Sequence, residues 1–134
     1  MIQDIFDTGK DIFDLSSTLC AKKEGERHKL ANLLELIGHL VRDTVAKLRH
    51  GQLPASKSQQ LEMLSEELYF RLAFSVGEIK ARTLAGKLKR GYVAGQLQSE
   101  LDESQSTHHH LTILEAAAGY FLATSEQLRT GVHV

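Results

Sequence analysis

Residues 28 to 50 carry one unbroken amphipathic pattern, and it constrains the fold more than any other feature of the chain. Leu30, Leu33, Leu34, Ile37, Leu40, Val41, Val45 and Leu48 share one arc, and His28, Glu35, His39, Arg42, Asp43 and His50 lie opposite. That recurrence has the period of an α-helix and not of a strand. Gly51 follows as a stop, with Pro54 just beyond it. A helix of this length with an apolar stripe must bury the stripe against other helices.

The rest of the chain repeats the pattern in five helical segments in all. The first is expected over Ile2 to Cys20, with Ile2, Ile5, Phe6, Gly9, Ile12, Phe13, Leu19 and Cys20 on one face and Asp4, Asp7, Lys10, Asp11 and Asp14 on the other. Gly9 on the apolar face would let a neighbouring helix approach closely. Residues 21–26 read as a polar hinge around Gly25, leaving open whether residues 1–50 form one kinked helix or two. A third helix is expected from Ala55 to Phe74, with Ser56 or Ser58 as cap and Leu61, Leu64, Leu68 and Leu72 as its main stripe. The fourth runs from Glu78 to about Leu101, with Ala81, Leu84, Ala85, Leu88 and Tyr92 inward and a bend or end between Gly91 and Gly95. Residues 99–107 read as a loop that Ser106 or Thr107 ends as a cap. The fifth helix places His110, Leu114, Ala117, Ala118, Phe121, Ser125 and Leu128 inward, with Ala116 to Gly119 small enough for close contact and Gly131 as a stop. One proline and no β-type alternation leave little room for a sheet. The expected fold is all-α: a single domain, 1–134, forming a mostly antiparallel bundle of four or five helices.

Composition narrows the function classes. At 134 residues with 42% apolar side chains, the chain buries a core without disulfide or metal staples. Its net charge of −1 supplies no field toward nucleic acid or anionic lipid. An early acidic N-terminus and the lack of any long apolar run argue against a signal peptide or membrane span, so a cytoplasmic location is expected.

Candidate chemistry is sparse. His28, His39 and His50 recur every eleven residues, which sets neighbours ~16 Å apart along a helix, too far to share an ion. Glu35, His39 and Asp43 are closer but lie on the polar face. His108, His109 and His110 point about 100° apart on a helix and cannot chelate together. The single cysteine, Cys20, sits on an apolar face and reads as a packed side chain. No phosphate-cradling loop, nucleophile elbow or inward Glu-x-x-His pair is present. No catalytic residue, cofactor or metal is therefore expected.

Two surface features remain. Met63, Phe70 and Phe74 form a second stripe nearly opposite the leucines of the third helix. They are core if that helix is central, and a contact surface if it is not. Lys80, Arg82, Lys87, Lys89 and Arg90 crowd the fourth helix, and residues 61–90 imitate a helix-turn-helix about Ser75-Val76-Gly77. The imitation fails at Glu78, where an apolar residue would help lock the helices, and no basic excess elsewhere supports it. The acidic first helix and the basic fourth are suited to face one another, within one bundle or between copies. The expected function is a non-enzymatic protein–protein interaction module, self-associating through Met63, Phe70 and Phe74, with a homodimer as the candidate assembly. The alternative is a nucleic-acid-binding regulator using the basic helix over 78–92.

The short runs Leu30-Ala31, Glu66-Glu67-Leu68, Gly77-Glu78 and Leu84-Ala85, with Ile37, Leu48, Gly51 and Pro54, carry a likeness over Arg27 to Leu88. So does the later run Leu114 to Phe121. In these the chain resembles a family of small all-helical bacterial proteins, chiefly cyanobacterial, of unassigned function. It departs from that family after Pro54, where Ala55-Ser56-Lys57-Ser58 stand in place of histidine, glycine, lysine and cysteine. The resemblance implies a helical fold and transfers no functional residue.

Overall fold

The computed structural model describes residues 2–51, 55–91 and 107–131. These form six helices: α1 (Ile2–Asp14), α2 (Ser16–Cys20), α3 (Glu24–Arg49), α4 (Ala55–Val76), α5 (Glu78–Gly91) and α6 (Thr107–Thr130). No strand occurs among the described residues. The chain is an all-α bundle, as its periodicity predicts.

Helix ends fall where backbone chemistry places them. Gly51, Gly77 and Gly131 each adopt positive φ, at 71°, 90° and 70°, the left-handed conformation that closes a helix at little cost only in glycine. The expected first helix instead divides at Leu15, whose ψ of 4° interrupts α1 and leaves α2 as a single short turn. The expected hinge shrinks to residues 21–23. Gly25 is helical, because Glu24 and Glu26 stand in the first turn of α3, where carboxylates complement the helix dipole. Residues 2–49 are therefore three helices, the short α2 standing between the longer α1 and α3. The expected caps at Ser56, Ser58, Ser106 and Thr107, inward Tyr92, the bend beyond Gly91 and the loop over 99–107 lie outside the described residues or side chains.

Packing is centred on α6, which touches α1, α2 and α3. It runs antiparallel to α3, since Ser125 meets Ala31, Ala118 lies by Gly38 and Glu115 pairs with Arg49. α4 and α5 fold back as an antiparallel hairpin: Glu62 reaches Lys89 and Tyr69 reaches Arg82. That hairpin closes the bundle, with α5 against α1 and α4 against α3. The acidic α1 and basic α5 thus meet within one chain.

The core is one continuous cluster that includes Ile5, Ile12, Leu34, Leu68, Leu88 and Phe121. Of the apolar arc on α3, seven residues are buried and Leu48 is half-buried against the cluster. Three buried threonines are satisfied within their own helices. Thr8, Thr44 and Thr124 each donate to the carbonyl four residues back, and Ser125 donates across to the Ala31 carbonyl at 2.7 Å.

Candidate interaction surface

α4 exposes what its neighbours leave uncovered. Leu61, Leu68 and Leu72 point into the core, with α3 on one flank and α5 on the other. The opposite side therefore faces water. Met63 is 73% exposed, Phe70 66% and Phe74 95%. The second stripe is not core, because α4 lies at the rim of the bundle. The three side chains fall within about 40° of arc at helical spacing and span about 16 Å along the axis. Leu36 on α3, 57% exposed, and Ile79 on α5, 83% exposed, were not singled out by periodicity.

Each flank of the stripe borders a groove. Between α3 and α4 an open groove of about 380 Å³ is lined by Leu36, His39, Leu40, Asp43, Met63 and Leu64, among others. Between α4 and α5 a second groove of about 390 Å³ is lined by Ser65, Tyr69, Phe70, Ala85, Gly86 and Lys89, among others. The Ser65 hydroxyl has no partner among the described residues. Tyr69 and Phe70 meet edge to face at 5.4 Å, and the Arg82 guanidinium lies 5.5 Å from the Tyr69 ring. A hydrogen bond to Tyr69, assisted by the charge of Glu78, raises the Arg82 pKa above its usual value. These contacts tie the start of α5 to α4 and brace the wall from which Phe70 projects.

The flank facing α3 carries ordered charge. Arg71 reaches Glu67 on its own helix at 3.7 Å and Glu26 on α3 at 3.5 Å. Lys22 donates to the Arg71 carbonyl at 3.0 Å. Its ammonium is partly desolvated there, which lowers its pKa; Glu26 opposes the shift and Arg71 adds to it.

The basic residues of α5 do not form one surface. Helical spacing sets Arg82 and Lys89 on the flank toward α4, and Lys80 and Lys87 on the opposite flank, with Arg90 between them on the outer side. Arg82 is paired with Glu78 at 2.7 Å and Lys89 with Glu62 at 3.1 Å. The α4–α5 corner is an antiparallel hairpin, so α5 does not project as a recognition helix would.

The histidines do not gather into a ligand set either. His28, His39 and His50 are exposed, and Glu35 beside His39 is engaged by Arg129. His108 and His109 are exposed and His110 is half-buried. Among the described residues no three His, Cys, Asp or Glu side chains gather to hold a metal ion. Cys20 is half-buried, its thiol 3.8 Å from the Gln127 carbonyl. No described helix is long and apolar enough to cross a membrane.

No family model, curated protein or solved structure matches the chain.

Proposed function

We propose that this chain is a non-enzymatic, cytoplasmic protein–protein interaction module that associates with itself through α4. The observation that carries the reading is the outward row of Met63, Phe70 and Phe74, of which Phe74 is 95% exposed. Isolated exposed apolar residues are ordinary, but three on one arc of one helix make a patch. Covering each is worth ~1.5–3 kcal/mol at most by area transfer. Leu36 widens the patch on the α3 side, where it shares a groove with Met63. Methionine and aromatic side chains are the types enriched in interface cores.

The nucleic-acid reading gains nothing comparable. Its five basic residues are split over separate faces, and two already have carboxylate partners. A phosphate backbone needs an unpaired, continuous basic surface.

Static light scattering over a concentration series tests the proposal. Mass should rise toward twice the monomer value as concentration increases. A constant monomer mass up to millimolar concentration would overturn it.

A further inference from the structure

We propose that two copies pair through α4 in antiparallel sense, each seating its Phe74 in the α3–α4 groove of the other. This rests on the reading of α4 as a self-association surface and specifies its geometry.

Reversal pairs two of the three stripe residues, Met63 with Phe74, and sets Phe70 level with Glu67. Met63 and Phe74 are equidistant from a point between Leu68 and Tyr69, and Glu67 and Phe70 are equidistant from the same point. Two copies of α4 related by a two-fold axis at that point bring Met63 level with the partner's Phe74. A two-fold axis of this kind also brings like flanks together. The flank of α4 that faces α3 in one copy meets the same flank in the other.

Three observations then fall into one arrangement. Phe74, at 95% exposed, leans to the α3 side of the stripe and becomes a protruding knob. Level with it on the partner lies the α3–α4 groove, whose walls include Leu36, Leu40, Met63 and Leu64 and whose volume of about 380 Å³ holds a phenyl ring. Leu36, which the described residues leave 57% exposed, would be covered by the same ring. On that flank Glu67 and Arg71 lie almost symmetrically about the axis, so each Glu67 comes level with the partner's Arg71. Two opposite-charge pairs thus line that side of the seam; a parallel arrangement would put the two α3-facing flanks on opposite sides of the seam and form neither pair. In the parallel arrangement, too, Phe74 would meet Phe74 beyond the end of the groove.

Disulfide trapping tests the geometry in a Cys20→Ser background. Met63→Cys and Phe74→Cys proteins are oxidised separately and mixed, and light scattering is run on each before oxidation. Antiparallel pairing predicts that the mixed disulfide accumulates, while each protein alone gives none. Alone, its two sulfurs are held roughly 16 Å apart along the axis. If the proteins dimerise but Met63→Cys links to itself, or no disulfide forms at all, the antiparallel geometry is wrong and self-association stands. If the Cys20→Ser parent, which keeps both Met63 and Phe74, stays monomeric up to millimolar concentration, both readings fall.

Discussion

Gly9 of α1 sits directly against α6, where a Cβ built on it would stand 3.1 Å from the Ala117 carbonyl oxygen and 3.2 Å from the Phe121 ring. The neighbour is backbone and a fully buried aromatic, so neither gives way easily. A glycine within a helix costs roughly 0.5–1 kcal/mol relative to alanine, whereas overpacking a filled contact costs about 1–3 kcal/mol. Gly9→Ala should therefore destabilise the protein by about 1 kcal/mol. Gly119, in mid-α6, has nothing within 4 Å of the same construction. Gly119→Ala should stabilise by roughly 0.5–1 kcal/mol. Urea unfolding of the two variants checks the pair, and equal shifts of the same sign would show that the α1–α6 contact is slack.

Ser125 stitches α6 to α3 through its bond to the Ala31 carbonyl, with both groups buried. Ser125→Ala should cost about 1 kcal/mol. Thr112 makes a comparable bond to the His108 carbonyl, but on the surface and within its own helix. Thr112→Ala should stay within about 0.5 kcal/mol of the parent. Thermal unfolding midpoints of the two variants measure the difference.

Lys22 provides a pH signature. Burial sets its folded pKa below 10.5, so the unfolded chain holds this proton more tightly than the folded one. Its charged form disfavours the folded state below the folded pKa, and the penalty is relieved as pH rises from there toward 10.5. Other groups titrate alike in parent and variant. The stability difference between parent and Lys22→Met should therefore move in favour of the parent across that alkaline window. Denaturant titrations at neutral pH and near 10.5 read it; a difference independent of pH, or one moving the other way, would contradict the assignment.

The helices were legible because burial on a helix leaves a period. The arc from Leu30 to Val45 follows it residue by residue, and the glycine stops at 51, 77 and 131 lie where left-handed backbone is needed. The break at Leu15 was not legible, since no glycine or proline marks it. Gly25 misled in the other direction: the acidic residues around it outweigh its low propensity at the start of α3. Period alone separated Met63, Phe70 and Phe74 from Leu61, Leu68 and Leu72, but could not say which side faced water. That depends on where α3 and α5 pack. Leu36 and Leu64 meet in a groove only because an antiparallel packing brings residues 28 positions apart in the chain side by side, and no local pattern records this. Gly38 shows the same limit: a Cβ there would come within 2.9 Å of two Leu122 atoms, a closeness invisible in sequence.

Sedimentation equilibrium of the parent chain beside Phe74→Ser measures the central claim most directly, with circular dichroism confirming that both are helical. Phe74 touches solvent on nearly all its surface, so its replacement should leave the fold intact. The symmetric dimer holds two such anchors, and at about 2 kcal/mol each their loss should weaken self-association by roughly 1,000-fold. The account predicts a monomer–dimer equilibrium in the parent, shifted by about that factor in Phe74→Ser. A parent that sediments as a monomer throughout, or a dimer indifferent to Phe74→Ser, would contradict it.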